Sequence, residues 1–326
     1  MKIAYTGSHF PEQMKQTMKS FMRDHGYELD LLTLKSRDAW DSKEMLLGYD
    51  VIICSGETYG ENIIRYLAGS LKLLSRHGVG TDEIAKDVAT QLGIAVCNAA
   101  GTLSSCVAEC ALALILNTLH GYCALDRDTR EGQWTAHDTF TTELTGLTVG
   151  FVGFGGIAQR LAHFLNAFDC RLLAYDPYFN AVSARKLDVK QVTLDELRAQ
   201  SDIISLHLPL TDETHEMVDA AFLRAMKPSA ILINTSRGGI VKEADLTEAL
   251  KASVIAGAGL DVFEREPVGK DNPLLSLRNV TVLPHVASHT YDSQLAAGLM
   301  ACRNAIAVIE GKQPESLLNP DYKNYK

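Results

Sequence analysis

Three charged side chains, Arg237, Glu266 and His285, each stand shortly beyond a short apolar run in the second half of the chain. An imidazolium can protonate a carbonyl group, and the imidazole can take the proton back in the reverse direction. A neighbouring carboxylate keeps a histidine protonated near neutral pH and orients it. A guanidinium can bind a carboxylate and polarise a carbonyl. These three types of side chain are those that interconverting a 2-hydroxy acid and a 2-oxo acid requires.

Each of the three residues has an ordinary structural interpretation when it is taken alone. An arginine in a loop is usually solvated, a glutamate beside Pro267 can simply solvate a turn, and a histidine after a strand is more often structural. All three residues follow predicted strands, and this shared position favours a functional interpretation, because ligands bind beyond the carboxyl ends of strands in open α/β sheets. Short apolar runs in this half predict strands covered on both faces: Leu147–Val152, Arg171–Tyr175, Ile203–Leu208, Ile231–Asn234, Ile255–Leu260 and Val280–Leu283.

A glycine-rich turn follows the first of these predicted strands and carries the pattern G-x-G-x-x-A, ending at Ala158. Gly153 permits a tight turn, and Gly155 lets the backbone approach a pyrophosphate at the positive end of the next helix. Asp176 ends the second strand, where it can bind both ribose hydroxyls and repel a 2′-phosphate, which favours NAD over NADP. A glycine-rich turn in an unrelated α/β domain is the alternative, but strand, helix, strand and acid stand in the required order.

The first hundred residues also alternate apolar and amphipathic segments, which predicts a second parallel sheet. Helices are predicted over Pro11–His25 and Glu61–Ala68, and strands over Ile3–Tyr5, Leu29–Leu34, Val51–Cys54, Leu71–Leu74 and Ile94–Cys97. The segment Ser104–Leu119 is apolar nearly all round, so we expect a helix buried between domains or subunits. A polar connection, Asp126–Gly146, follows it. The last predicted helix is Tyr291–Ile309, with Gly311 placed to end it.

Composition limits the possible functions. The chain of 326 residues, with 46% hydrophobic and 22% charged residues, is long enough for two globular domains. Its net charge of −9 opposes nucleic-acid binding. Seven scattered cysteines predict free thiols in a reducing compartment, and Cys106 and Cys110 are expected to pack rather than to bind a metal. We find no targeting segment and no membrane span, so we expect a cytoplasmic protein. We also expect no bound metal.

Several segments together resemble one known family, the D-isomer-specific 2-hydroxyacid dehydrogenases, which include phosphoglycerate, glyoxylate/hydroxypyruvate and D-lactate dehydrogenases. The matching segments occur in the family's order and span nearly the whole chain: Arg76–Asp82, Ser105–Glu109, Gly150–Ala158, His207–Thr211, Asn234–Gly239, Gly259–Pro267 and Pro284–Ser288. The resemblance implies two Rossmann-like doubly wound parallel-sheet α/β domains. A discontinuous, flavodoxin-like substrate domain would comprise residues 1–100 and 290–326, and an NAD-binding domain residues 101–289. It also implies a homodimer, with the apolar helix at its interface.

The resemblance also implies roles for single residues. Arg237, Glu266 and His285 match the family's catalytic residues. Val79 and Gly80, together with Arg237 and His285, match positions that bind the substrate. Positions that match the family's NAD site are Ser104, Val107, Gly153, Gly155, Gly156, Ile157, Asp176, His207, Pro209, Thr235, Ser236, Arg237, Asp261, His285 and Ser288.

This chain departs from the family's pattern at some positions. Ala158 replaces the third glycine of the turn, and His289 stands where many members carry a smaller residue. Glu57 lies in a loop that often faces the substrate, where it should disfavour a phosphorylated substrate unless a cation balances it. Since the chain ends at Lys326, we expect no regulatory extension of the kind that long phosphoglycerate dehydrogenases carry.

Two other functions remain open at the level of sequence. Some relatives act as NAD-responsive corepressors, which would make the chain a binding module without significant turnover. An amino-acid dehydrogenase is the other alternative, but it needs a base that handles ammonia, typically a lysine. The matched catalytic segments contain no lysine, although Lys227 and Lys242 flank one of them.

Overall fold

The chain forms two compact units in the computed structural model, which describes residues 1–134 and 140–325. Unit 1 comprises Met1–Leu103 and Thr290–Lys326, and unit 2 comprises Ser104–His289. Each unit has its own parallel sheet with helices packed against it. The predicted fold class, α/β with doubly wound parallel sheets, is confirmed.

Unit 1 is built on a five-stranded parallel sheet with the strand order β2-β1-β3-β4-β5. Its central strands are fully buried, which explains why they are apolar at every position rather than at alternate ones. The strands are β1 (Ile3–Tyr5), β2 (Asp30–Leu31), β3 (Val51–Cys54), β4 (Leu73–Arg76) and β5 (Ala95–Cys97). The helices between them are α1 (Glu12–Asp24), α2 (Lys43–Leu46), α3 (Glu61–Leu67) and α4 (Lys86–Gln91), with a 3-10 helix at Ala39–Ser42.

Unit 2 is built on a seven-stranded parallel sheet with the order β12-β11-β10-β9-β6-β7-β8. Its strands are β6 (Thr148–Val152), β7 (Arg171–Tyr175), β8 (Val189–Gln191), β9 (Ile203–Leu206), β10 (Ile231–Asn234), β11 (Gly257–Leu260) and β12 (Val280–Val282). Its helices are α5 (Ser104–His120), α6 (Tyr122–Arg130), α7 (Gly156–Leu165), α8 (Ala181–Lys186), α9 (Leu194–Gln200), α10 (Ala220–Arg224) and α11 (Glu243–Lys251). Short 3-10 helices occur at Asn166–Phe168, Gly238–Ile240 and Pro273–Ser276.

The last long helix, α12 (Tyr291–Ile309), belongs to unit 1, and a 3-10 helix at Pro320–Tyr325 follows it. It packs so closely on α1 that a Cβ atom at Gly298 would lie 2.7 Å from Sδ of Met18. The helix was predicted with these bounds, and Gly311 follows it in the left-handed conformation (φ 71°) that a helix end favours. The sequence therefore located this helix correctly, although its partner helix begins 279 positions earlier in the chain.

Apart from shifts of one or two residues at the ends of strands, the structure differs from the predicted strands and the predicted connection in three places. The sequence analysis did not predict β8, because at this edge strand only Val189 is buried and no apolar run marks it. The predicted strand Leu29–Leu34 is reduced to the two residues of β2. The connection predicted over Asp126–Gly146 begins as helix, since α6 continues to Arg130; residues 135–139 of that segment lie outside the described residues.

Helix α5 packs within unit 2 against α7 and the strands β10 and β11. Its first and central turns bury Val107, Ala108 and Leu114, which accounts for an apolar surface on most of its sides. Within the described ranges, no single helix is both long and apolar enough to cross a membrane. Only the bent pair of α5 and α6, which meet at 63°, reaches the required length and composition when both helices are counted together.

Gly150 in β6 shows how tightly the larger sheet is packed. A Cβ atom there would lie 2.3 Å from Oγ of Ser201 and 2.8 Å from Cδ2 of Leu197. We expect Gly150→Ala to lower the free energy of unfolding by about 1–3 kcal/mol, as overpacking of a core does. Urea denaturation measures this, with Gly69→Ala as the control, because a Cβ atom at Gly69 meets no atom within 4 Å. Equal stability of the two variants would contradict the close packing of α9 on β6.

Candidate active site

Three neighbouring strands of the larger sheet, β10, β11 and β12, end at the same edge because they are parallel. Arg237 lies three residues beyond the end of β10, Glu266 six residues beyond β11 and His285 three residues beyond β12. The backbone ladder continues past the strand ends, since the amide of His285 donates to the carbonyl of Asp261 at 2.8 Å. The strand order therefore brings the three residues together at one sheet edge.

His285 and Glu266 form a short hydrogen bond, with 2.6 Å between Nδ1 and Oε2. The other carboxylate oxygen of Glu266, Oε1, accepts the backbone amide of Phe263 at 3.1 Å, which orients the carboxylate. About half of the His285 side chain (47%) is exposed to solvent. Because Nδ1 is occupied by Glu266, the other ring nitrogen, Nε2, is the one that can exchange a proton with a ligand.

The electrostatics of this pair favour a protonated histidine. The hydrogen bond that His285 donates to Glu266 raises the pKa of His285; burial opposes this shift, while the charges of Glu266 and Asp261 add to it. Burial by itself would raise the pKa of Glu266, but the hydrogen bond from His285 and the amide of Phe263 outweigh it, so the pKa of Glu266 is lowered. Both shifts describe one ion pair, an imidazolium held by a carboxylate.

Arg237 lies close enough for its positive charge to lower the pKa values of both His285 and Glu266. Its backbone carbonyl accepts Nδ2 of Asn234 at 2.9 Å, and Oδ1 of Asn234 in turn accepts the amide and the hydroxyl of Ser236. The next residue, Gly238, must be a glycine, since a Cβ atom there would lie 1.9 Å from the carbonyl carbon of Phe263. The loops that carry the arginine and the glutamate are therefore packed directly against each other.

Asp261 positions the histidine segment, and the sequence analysis did not predict this role. Its side chain is fully buried, and its two carboxylate oxygens accept the amides of Val286 and Ala287 at 2.8 and 2.9 Å. His285 itself has a left-handed backbone (φ 56°), which is strained for a residue with a side chain. Asp261 holds that conformation in place through the residues that follow, and no spacing signal in the sequence marks such a contact.

The glycine-rich turn has the shape that a dinucleotide requires. Gly153 is left-handed (φ 91°), and a Cβ atom there would lie 2.6 Å from the carbonyl oxygen of His207. At Gly155, by contrast, a Cβ atom would meet nothing within 4 Å, so open space lies in front of the N-terminus of α7. Ser104 borders this space, because its Oγ would lie 3.2 Å from a Cβ atom at Gly156. Helix N-termini with open space of this kind bind phosphates.

Two polar groups at the same sheet edge fit the rest of NAD. The carboxylate of Asp176 accepts the amides of Phe154 and Tyr178, each at 2.7 Å, which holds it beside the turn where a ribose would lie. Oγ1 of Thr235 is buried without a hydrogen-bond partner among the described residues, so a ligand group can satisfy it. The chain's own residues therefore fit this cofactor.

The other predicted NAD-site residues are distributed around the same unit. His207 follows β9, with Nε2 bonded to Oγ of Ser205 at 2.9 Å, and burial lowers its pKa to about 4. Its neighbour Pro209 is exposed, and its carbonyl accepts the hydroxyl of Thr214. The remaining ones lie in α5 (Val107), in the first turn of α7 (Ile157) and after β12 (Ser288).

Val79 and Gly80, the predicted substrate residues, lie in unit 1, directly after β4. Asn98 donates Nδ2 to the carbonyl of Val79 at 2.8 Å, and Arg76 donates Nε to the carbonyl of Gly80 at 3.0 Å. With both carbonyls turned inward, the loop is fixed by side chains that the sequence analysis did not single out.

Comparisons with known proteins agree with this geometry. The family model described as "D-isomer specific 2-hydroxyacid dehydrogenase, NAD binding domain" matches residues 112–287. A D-3-phosphoglycerate dehydrogenase of Archaeoglobus fulgidus is 36% identical over 94% of this chain and 58% of its own length. A glyoxylate reductase of Thermofilum pendens is 38% identical over 90% of this chain and 89% of its own. The chain belongs to the D-isomer specific 2-hydroxyacid dehydrogenases.

A solved structure supports the same assignment for the fold. The apo-structure of D-lactate dehydrogenase from Escherichia coli covers 98% of this chain and 100% of its own, with a TM-score of 0.83 and 26% identity. Members of the 2-hydroxyacid dehydrogenase family are NAD-linked oxidoreductases, and the matched stretch of this dehydrogenase is their NAD-binding domain. The family and the cofactor predicted from the sequence are thereby confirmed. The chain spans just over half of the length of the phosphoglycerate dehydrogenase that it matches.

The ion pair can be tested without any assay of activity. We expect Glu266→Gln to lower the pKa of His285, because the main cause of its raised pKa is the hydrogen bond to the Glu266 carboxylate. An NMR titration of ¹³C-labelled histidines measures this, with the His285 signal assigned by its loss in His285→Gln. Glu264→Gln is the control, because Glu264 bonds to the amide of Glu243 instead. An unchanged titration in Glu266→Gln would contradict the pairing.

Proposed function

We propose that this chain transfers a hydride between NAD(H) and a short D-2-hydroxy acid or 2-oxo acid, with His285 as the general acid and base. The observation that carries the proposal is the 2.6 Å hydrogen bond between His285 and Glu266, at the same sheet edge as the dinucleotide turn. Two of the family members that resemble the chain are named glyoxylate reductases, which act on a small 2-oxo acid as their name states.

The proton in this reaction is handled by His285. In reduction, the imidazolium donates its Nε2 proton to the carbonyl oxygen of the 2-oxo acid, and Glu266 stabilises the charge of the ring before the transfer. In oxidation, the neutral imidazole accepts the hydroxyl proton at the same nitrogen. The raised pKa of His285 means that the acid form persists to higher pH than in an isolated histidine.

Binding and orientation of the substrate fall to Arg237 and to the loop of Val79 and Gly80. The guanidinium of Arg237 binds the substrate carboxylate and polarises the carbonyl group. The backbone amides of Val79 and Gly80 provide further donors for the carboxylate. Unit 1 would accordingly serve as the substrate domain and unit 2 as the NAD-binding domain.

When bound, NAD supplies or accepts the hydride. The residues proposed to hold it are those of the glycine turn, the acid Asp176 and Thr235, whose hydroxyl is buried and unpartnered within the described part of the chain. The Asp176 carboxylate would accept hydrogen bonds from the ribose hydroxyls and would repel a 2′-phosphate, so NAD is preferred to NADP.

We further propose that the protein works as a homodimer in the cytoplasm. All seven cysteines lie in the described ranges, and none of them is in a disulfide bond, as is usual for proteins of reducing compartments. Sedimentation of the purified chain at several concentrations would distinguish a dimer from a monomer.

The proposed activity is tested by following NADH oxidation with glyoxylate, hydroxypyruvate and pyruvate. We expect His285→Gln to lower the turnover number by about 10²–10⁴-fold, the usual contribution of a general acid or base. His25→Gln is the matched control, since this exposed histidine in unit 1 bonds to the carbonyl of Phe21 and should leave turnover nearly unchanged. Full activity in His285→Gln would remove His285 from the mechanism.

Two other results would favour other functions. Binding of NADH without turnover of any 2-oxo acid would favour the NAD-responsive binding module. Turnover that depends on added ammonia would favour an amino-acid dehydrogenase.

The preference for NAD is tested at Asp176. We expect Asp176→Ser to raise kcat/KM for NADPH relative to NADH about tenfold or more, because the repulsion between two like charges is removed. Kinetics with both coenzymes measure the ratio. Asp169→Asn is the control, since Asp169 is an exposed carboxylate whose left-handed backbone (φ 53°) asparagine tolerates. An unchanged ratio in Asp176→Ser would show that this carboxylate does not discriminate between NADH and NADPH.

A further inference from the structure

A buried histidine lies at the start of the loop that follows β4. His77 is the first residue after this strand, directly before Gly78, and it is only 3% exposed. Its ring stacks on Phe10, with 4.3 Å between the ring centroids and 12° between the ring planes. A buried ring nitrogen needs a hydrogen-bond partner, since it has lost its hydration. The partners of the two nitrogens therefore decide the state of this ring.

The two ring nitrogens of His77 bind to two different elements. Nε2 lies 2.7 Å from the backbone carbonyl oxygen of Gln294 in α12, and Nδ1 lies 2.9 Å from Oη of Tyr5 at the end of β1. A carbonyl oxygen can only accept, so Nε2 carries the proton. In a neutral ring Nδ1 is then the acceptor, and the hydroxyl of Tyr5 donates to it. The partners thus assign one tautomer to the ring.

Burial keeps this ring neutral. It lowers the pKa of His77 to about 4; the bond to the carbonyl of Gln294 opposes the shift, and the charges of Arg76 and His9 add to it. Burial also raises the pKa of Tyr5, so the phenol keeps the proton that it donates. A ring that is neutral at neutral pH can hold both hydrogen bonds at once.

The elements around the ring leave it little room to move. A Cβ atom at Gly298 in α12 would lie 3.0 Å from Cε1 of His77, and a Cβ atom at Gly7 would overlap the hydroxyl of Tyr5. The ring therefore joins β1, the loop after β4 and α12, although Gln294 lies 217 positions after it in the chain.

The backbone that follows His77 leaves its hydrogen-bond donors unused. The carbonyl of Gly78 accepts the amide of Ala99 at 2.8 Å, and the carbonyls of Val79 and Gly80 also accept hydrogen bonds within unit 1. Among the described residues, the amides of Val79 and Gly80 donate to no group. Gly78 has a φ of 143°, and a glycine lets the neighbouring peptide planes rotate unless other contacts fix them. The direction of these amides thus depends on how firmly His77 is held.

We propose that His77 is a positioning residue for substrate binding, whose ring, held between the Tyr5 hydroxyl and α12, directs the amides of Val79 and Gly80 toward the substrate carboxylate. This inference rests on the proposed function. Because the ring is buried, it acts through the loop and does not touch the substrate. It raises the fraction of molecules whose loop can bind, and the apparent affinity falls in proportion when that fraction falls. The turnover of substrate that has bound is not affected.

Tyr5→Phe tests the proposal, because it removes only the hydroxyl that donates to Nδ1. We expect KM for glyoxylate to rise about fivefold or more, since a buried acceptor loses its donor and the ring is held less firmly. The turnover number should stay within about twofold of the unmodified value. Fluorescence titration should give an unchanged Kd for NADH, because the residues proposed to hold NAD lie in unit 2 or at its first residue. An unchanged KM, with normal thermal unfolding, would overturn the proposal, as would a lower turnover number at unchanged KM.

Tyr49→Phe is the matched control. It also removes a tyrosine hydroxyl from unit 1, where Oη of Tyr49 donates to Asp30 at 3.0 Å. Asp30 belongs to β2, which is separated from β4 by two strands. This variant should leave KM for glyoxylate unchanged. An equal rise of KM in Tyr5→Phe and Tyr49→Phe would mean that only a general loosening of unit 1 matters, and the proposal would be wrong.

A double variant shows whether the hydroxyl acts through the ring. His77→Leu removes both hydrogen bonds of the ring and should raise KM at least as much as Tyr5→Phe. If Tyr5 acts through His77, adding Tyr5→Phe to His77→Leu should raise KM no further. Effects that multiply would show that the two residues act separately, against the proposal.

The state of the ring can also be measured in the unmodified protein, so the inference does not depend on a variant that folds. We expect NMR of ¹⁵N-labelled histidines to place the His77 proton on Nε2 and to show no protonation above about pH 5, because burial lowers its pKa to about 4. A proton on Nδ1, or titration in the ordinary range of histidine, would overturn the assignment.

Failure of this inference can be distinguished from failure of the proposed function. If the unmodified protein reduces glyoxylate but Tyr5→Phe and His77→Leu keep its KM, His77 does not position the loop, and the proposed function stands. If no 2-oxo acid is reduced although NADH binds, the proposed function fails, and this inference fails with it.

Discussion

The hydrogen bond between His285 and Glu266 is the interaction around which the site of this dehydrogenase is arranged. It favours the charged form of the imidazole and leaves the other ring nitrogen, Nε2, open to a ligand. A bond of this length requires two loops from different strands to be held within a fraction of an ångström. The parallel sheet meets this requirement, since β11 and β12 are hydrogen-bonded neighbours whose carboxyl ends lie at one edge.

The surrounding residues stabilise that arrangement, although the burial of Asp261 and the left-handed backbone of His285 each cost free energy. Asp261 is fully buried, and burial raises its pKa, although the amides of Val286 and Ala287 oppose the shift. His285 holds a left-handed backbone that costs about 1–3 kcal/mol in an ordinary residue. Such strain persists only where neighbouring contacts determine the conformation completely, and this is the case for a segment held by both oxygens of one buried carboxylate.

Both sheets carry polar groups at the carboxyl ends of their strands. In unit 2 the carboxyl edge carries the glycine turn and Asp176, which suit a dinucleotide. In unit 1 the corresponding edge carries the Val79–Gly80 loop, which we propose binds the substrate. Because strands of a parallel sheet present their carboxyl ends together, each unit concentrates its polar side chains on one edge and leaves the apolar faces to the helices.

The sequence by itself determined the fold class, the dinucleotide turn and the three charged residues at strand ends. These follow from local patterns: apolar runs of three to six residues, glycines at fixed spacing, and the residue type that follows each strand. The helix Tyr291–Ile309 could also be predicted, because its apolar positions repeat with helical spacing over nineteen residues. Edge strand β8 could not, since a strand with only one buried residue leaves no such repeat.

Only the tertiary structure decided which polar residues are buried and what they contact. Asp261 turns inward to two amides, Gly238 lies against the carbonyl of Phe263, and Glu57 is buried without an ion pair among the described residues. The physical reason is that burial and hydrogen bonding join positions far apart in the chain. The same aspartate or glutamate would be solvated in one fold and enclosed in another, and no local pattern distinguishes the two.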